Sequence, residues 1–216
     1  MSAPASGTPR RELRTRQRAW PRAIAAWLAG RGVTPNAVSV ASIFVAAGSG
    51  FALYRSGGSG DAALWLALAA VGIQLRLLCN LLDGLLAVEG GLKSALGDVY
   101  NDAPDRLADI LILVGAGYAL APRLHFLGWL AALLAVMTAY VRTLAGALGT
   151  SQRFSGPMAK QHRMFVLTLG CLAAAAELAV NGTRTSLAAA LWLIVIGAAV
   201  TTVRRLSDLS RELRAR

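Results

Sequence analysis

Residues Asn80 to Asp109 read NLLDGLLAVEGGLKSALGDVYNDAPDRLAD. Six of the chain's 11 acidic residues fall here: Asp83, Glu89, Asp98, Asp102, Asp105 and Asp109. The sequence on either side is strongly apolar. Carboxylates at membrane depth cost roughly 2.5–3.5 kcal/mol each on insertion scales, so a cluster of them needs partners, water or metal. The stretch therefore reads as a metal and phosphate site, and the remaining chain as its scaffold.

Composition agrees with a bilayer as solvent. The 216 residues are 56% hydrophobic and 15% charged, with a mean hydropathy of +0.53. A soluble domain of this length carries more charge. Six apolar segments, each near the roughly 20 residues a bilayer requires, are expected at 36–54, 62–87, 99–120, 126–148, 164–180 and 186–203. The connections are short, and neither a repeat nor a second domain is visible. The expected fold is all-α: one domain over 1–216, with a six-helix core at 36–203. Residues 1–9 read as disordered and 204–216 as a basic tail. Between them and the core, Arg10 to Gly30 sets Arg10, Arg11, Arg14, Arg18 and Arg22 against Leu13, Trp20, Ile24, Trp27 and Leu28. That pattern predicts a basic amphipathic interfacial helix, bent at Pro21. Thr34 is a candidate N-cap ahead of Pro35.

Net charge is +11. The arginines flank apolar segments, so anionic lipid, not nucleic acid, is the expected partner. Sixteen Lys and Arg fall on one side if both termini and the Lys93 and Lys160 loops share it, against three (Arg55, Arg123 and Arg184) on the other. The positive-inside rule then places both termini and the acidic stretch in the cytoplasm, in a cell (inner) membrane. The arginine-rich start lacks a secretory signal's apolar core. Cys79 and Cys171 lie in apolar segments without metal-ligand spacing and read as small hydrophobes.

Spacing sharpens the site. Arg76, Asn80 and Asp83 share one helical face, and Asp98, Asp102, Asp105 and Asp109 share another. The short Gly90-Gly91 connection would make these two segments antiparallel neighbours. Asn and Asp oxygens suit a hard cation, Mg²⁺ or Mn²⁺. Gly84 and Gly97 allow a bulky ligand to approach the backbone. The plainer alternative is a structural network, but Arg76 and Arg106 alone are too few for six acids. A second polar group, Lys160, His162 and Arg163, follows the Gly156-Pro157 turn. Cations at a helix start gain nothing from its dipole, so an anionic acceptor or phosphate is expected there. Arg142, buried in the fourth apolar segment, points to the same cavity or pairs with Asp109 or Glu177.

These positions resemble the signature of the CDP-alcohol phosphotransferase family, D-x-x-D-G-x-x-A-R, eight residues, then G-x-x-x-D-x-x-x-D. They read Asn80, Asp83, Gly84, Ala87, Val88, Gly97, Asn101 and Asp105 here, with the spacing kept. Thr34-Pro35-Asn36 and Ala139-Tyr140-Val141-Arg142 also resemble the family. The resemblance implies an integral membrane enzyme, a homodimer, that moves a substituted phosphate from a CDP-linked donor such as CDP-diacylglycerol to an alcohol acceptor and releases CMP. It implies two divalent ions at the aspartate positions, with Asp105 as general base. Donor and nucleotide contacts are expected at Thr34, Asn36, Gly84, Ala87, Ser94 and Gly97, and acceptor or phosphate contacts at Arg142, Lys160, His162 and Arg163. The sequence departs from the pattern at Asn80, Asn101 and Val88. An amide oxygen ligates a hard cation but brings no charge. Glu89 and Asp102, beside substituted positions, are expected to restore it, and the pattern resembles a divergent subgroup. Two rival classes are a non-catalytic member that binds lipid or nucleotide, and a cation or proton-coupled transporter.

Overall fold

The computed structural model describes residues 19–58, 60–89, 91, 96–150 and 155–216, without the side chains of Glu89 and Asp98. The expectations for 1–9, Arg10 to Arg18, Lys93, Ser94, Arg153 and the Glu89 side chain lie outside that set. The described residues form helices α1 (Ala19–Ala29), α2 (Pro35–Ser56), α3 (Ala62–Glu89), α4 (Gly97–Tyr118), α5 (His125–Ala147), α6 (Lys160–Val180) and α7 (Thr185–Arg214). A 3-10 turn, Pro122–Leu124, leads into α5.

Local chemistry sets the first helix junction. Gly32, at φ 76°, turns the chain out of α1, and Val33 N–H returns to the Leu28 carbonyl at 3.1 Å. Only glycine adopts that backbone cheaply. Thr34 then caps α2: its backbone is extended and its Oγ1 accepts the Ala37 N–H at 3.2 Å. Pro35 occupies the first helical turn, where its missing N–H costs nothing.

Side chains are distributed as in a protein whose solvent is lipid. On α2 the buried face is Ser39, Ser42, Ala46, Ser49, Gly50, Leu53 and Ser56, while Phe44, Phe51 and Tyr54 point outward. Small residues let helix backbones approach where lipid offers no hydrophobic drive for association. The serine hydroxyls of Ser42, Ser49 and Ser56 donate to carbonyls of their own helix. Glycines carry the closest contacts. A Cβ on Gly50 would collide with the Leu111 carbonyl of α4, and one on Gly115 with Gly50. Gly117 and Gly128 stand in the same relation between α4 and α5.

Five helices are long and apolar enough to cross a membrane: α2, α3, α5 with its preceding turn, α6 and α7. The remaining long helix, α4, is not among them because it carries Asp102, Asp105, Arg106 and Asp109. This is an all-helical membrane protein. Helix α6 begins at Lys160, four residues before the expected start. Helix α7 continues to Arg214, so much of the expected basic tail is helix. In α1, Pro21 lies in the first described turn and is buried with Ala25, whereas Trp20, Ile24 and Trp27 are exposed.

Helix packing differs from the expected order in one respect. Helix α2 packs on both α3 and α4; α3 then packs on α6, α6 on α7, α7 on α5 and α5 on α4. These contacts close a ring. Helices α3 and α4 touch only sparingly, so they are not the packed neighbours that a short connection suggested. The reason is α2, whose face of small residues accepts both. Polar faces of α3 and α4 meet instead across the interior of the ring.

Candidate active site

One end of the ring gathers the polar residues. Asp83 comes from the last turns of α3, Asp102, Asp105 and Asp109 from successive turns of α4, and Arg142 from the end of α5. Lys160 and Arg163 open α6, and Arg205 stands late on α7.

Asp105 is the centre. Its Oδ1 accepts Asn80 Nδ2 at 2.8 Å and Arg76 Nη2 at 3.1 Å. Its Oδ2 is ion-paired with Lys160. Arg76 is fully buried and also reaches Asp109 at 3.3 Å. Asp109, 1% exposed, receives Arg163 Nη2 on its other oxygen at 2.8 Å. Buried carboxylates of this kind persist only when paired and hydrogen-bonded. Asp102 lies nearer the surface, where its Oδ1 accepts Arg106 at 3.1 Å and Arg142 at 2.9 Å.

Asp83 is treated differently. It is 5% exposed, and its Oδ2 accepts the Ser39 hydroxyl at 2.7 Å. Its Oδ1 is buried without a hydrogen-bond partner. Asp105 and Lys160 both lie within its electrostatic reach. A buried, unpartnered carboxylate oxygen is costly, and a bound cation is its simplest partner.

The loop before α6 is anchored to α7. Gly156 has φ 110°, and a Cβ there would strike the Thr201 side chain. Met158 N–H donates to Thr201 Oγ1 at 3.0 Å, and Arg205 donates to the Ser155 and Thr138 carbonyls at 3.0 and 2.6 Å. Arg163 donates back to the Met158 carbonyl at 3.1 Å. These bonds fix where Lys160 enters the ring.

The residues singled out from sequence fall into three groups. Asn80, Asp83, Asp105 and Lys160 come together. Asp102 and Arg142 form a neighbouring pair, and Arg163 lies one layer deeper on Asp109. The count of two arginines for six acids omitted the cations that α5 and α6 contribute, and Arg142 pairs with Asp102, not Asp109 or Glu177. His162 is exposed and its ring bonds back to the Pro157 carbonyl at 2.7 Å. Glu177 lies at the far end, accepting from Thr185 and Ser186 at the start of α7. Thr34 and Asn36 open α2, Gly84 and Ala87 follow Asp83 on α3, and Gly97 begins α4; Asn101 sits half-buried one turn before Asp105. Among the described residues no group of three His, Cys, Asp or Glu is arranged to hold a metal ion. Ser39 was missed from sequence. Its only signal is membership of the buried serine face of α2.

No model of a known protein family matches the chain, and no curated protein matches it. Solved structures share the fold. Phosphatidylinositol phosphate synthase of Mycobacterium tuberculosis with CDP-DAG bound superposes with a TM-score of 0.74 at 21% identity, covering 88% of this chain and 92% of that one. The same synthase with manganese and citrate gives 0.74 at 20% identity, over 88% of each chain. Its apo form gives 0.70 at 20% identity, over 86% of this chain and 93% of that one.

Proposed function

We propose that this chain is a membrane-embedded CDP-alcohol phosphotransferase. It moves a substituted phosphate from a CDP-linked donor such as CDP-diacylglycerol to an alcohol acceptor, with release of CMP, in phospholipid synthesis. The carrying observation is the convergence of Asp83 and Asp105, at the family's signature spacing, in a fold shared with a synthase that binds CDP-DAG.

In this reading Asp83 holds Mg²⁺ or Mn²⁺ through its unpartnered Oδ1, with the Asn80 and Asn101 amides near enough in sequence register to assist. A divalent ion there would neutralise the donor diphosphate and favour departure of CMP. A carboxylate offers roughly four lone-pair sites. Arg76, Asn80 and Lys160 use three of them on Asp105. The fourth is left for an acceptor hydroxyl, whose proton Asp105 accepts as general base. Asp102 is not carried forward as an ion ligand, because Arg106 and Arg142 already share its Oδ1. Arg142 and Lys160 border the acceptor side.

Helix α4 is proposed as a sixth span, because α2 and α5 pack on it along its length. Both termini are proposed to be cytoplasmic; reporter fusions at Gly58 and Arg216 should fall on opposite sides. The homodimer implied by the resemblance is tested by the mass of the protein in nanodiscs.

The direct test is CMP release from CDP-diacylglycerol by purified protein with Mg²⁺ or Mn²⁺ and a panel of alcohols. Release that needs both acceptor and metal supports the reading, and Asp83→Asn should abolish it. The near-complete engagement of Asp105 favours a second reading, a CDP-lipid binding protein without turnover. Donor binding with no CMP from any acceptor would select it.

A further inference from the structure

The two carboxylates Asp83 and Asp105 are not equivalent in this chain. Each described carboxylate of α4 already has a cation of the protein on it: Asp102 has Arg106 and Arg142, Asp105 has Arg76 and Lys160, and Asp109 has Arg76 and Arg163. Asp83, on α3, has no ion pair among the described residues; Ser39 is the side chain that hydrogen-bonds it there, and Oδ1 is left over.

Position 80 explains how Asp105 became self-sufficient. A carboxylate in place of the Asn80 amide would stand about 2.8 Å from Asp105 Oδ1. Two carboxylates that close repel unless a proton or cation lies between them. The Asn80 amide instead donates a hydrogen, so no ion is needed at that contact. Lys160 covers the opposite oxygen. Its ammonium has three protons, so it can hold Asp105 and still donate to a phosphate oxygen.

We infer that the site keeps one divalent-ion position, on Asp83 Oδ1, and that the Lys160 ammonium seated on Asp105 takes the place of a second ion. The purpose of the ion rests on the transferase reading; its position and number rest on the contacts above. The charge balance agrees. Asp83 is the only carboxylate of the described cluster not paired with a side-chain cation, which suits one ion shared with an incoming diphosphate and, among the described residues, leaves a second ion without a counter-charge.

Counting bound Mn²⁺ tests this without reference to turnover. Wild-type protein in detergent, titrated with Mn²⁺ and followed by the paramagnetic resonance of the free ion, should bind one per chain. Asp83→Asn should weaken that binding by more than about tenfold. The charge-neutral pair Lys160→Met with Asp105→Asn should still bind one. Lys160→Met with Asn80→Asp, which removes the ammonium and returns a carboxylate, should bind two. Circular dichroism and gel filtration establish that each variant is folded. Two ions on the wild type, or none, would overturn the inference, and the wild-type count needs no variant. Loss of the ion from the folded charge-neutral pair would overturn it as well. Absence of CMP release with one Mn²⁺ bound would remove the transferase reading alone. CMP release with two bound would remove the one-ion assignment alone.

Discussion

The two ends of the helix ring are held by different physics. At the site end, long charged side chains from α3, α5 and α6 reach the carboxylates of α4, and backbones stay apart. At the far end and through the middle, backbones touch: Gly50 against Leu111 and Gly115, Gly57 against Tyr118, Gly117 against Gly128. Arg184 caps the end of α4 through the Ala119 carbonyl at 2.8 Å. A glycine seam tolerates no added atom, whereas an ion pair can exchange partners. The seam therefore sets helix spacing, and the ionic end is left free to trade an internal cation for a ligand.

Arg76→Met should break the comparison most severely. It removes the cation that Asp105 and Asp109 share and leaves each with one, Lys160 and Arg163; removal of one partner from a buried pair costs about 3–5 kcal/mol. Denaturant unfolding in detergent measures it; a loss below about 1 kcal/mol would mean that the ionic end contributes little to stability. Gly115→Ala comes next, at about 1–3 kcal/mol from overpacking against Gly50. Its control is Gly58→Ala, which meets open space and should stay within about 0.5 kcal/mol. Gly115→Ala should leave Mn²⁺ stoichiometry unchanged if spacing and charge are separable. Asn80→Asp with Asn101→Asp should lower CMP release by roughly tenfold, because the new carboxylate at 80 opposes Asp105; faster turnover would show that the asparagines are a defect. The smallest stability effect belongs to Arg142→Gln, whose partly exposed pair with Asp102 is worth about 0–1 kcal/mol. Its effect should appear instead as a raised apparent KM for the alcohol.

How much of this was legible beforehand depended on the range of the interaction. Apolar segments, the Thr34-Pro35 start and the i, i+4 faces are local, and they were read within a few residues. Helix ends at α6 and α7 were not, because hydropathy stops at charged residues while helix propensity continues through Arg, Leu and Glu. Within the site, Asn80, Asp83 and Asp105 announced themselves by spacing. Their cations did not. Lys160 and Arg163 were read as ligand-holding residues, yet each contacts an α4 carboxylate more than fifty residues earlier, Arg163 across 54. Nothing in a linear pattern specifies which acid a distant cation meets. The sparing contact of α3 with α4 was equally hidden, since it follows from the small face of α2.

That ordering has a consequence for how the chain is made. If α4 spans the membrane, as proposed, it leaves the ribosome carrying Asp102, Asp105 and Asp109 when only Arg76, among their cations on other helices, has already been synthesised. Arg142 follows on the next helix, and Lys160 and Arg163 on the one after it. Helix α4 alone is a poor substrate for lateral release into lipid, at several kcal/mol for its charges. It must wait beside α2 and α3, within the insertion machinery or at its edge, until α6 emerges. Truncation before Lys160 should therefore leave α4 untranslocated and exposed to proteolysis, whereas truncation after Val180 should commit it to the bilayer.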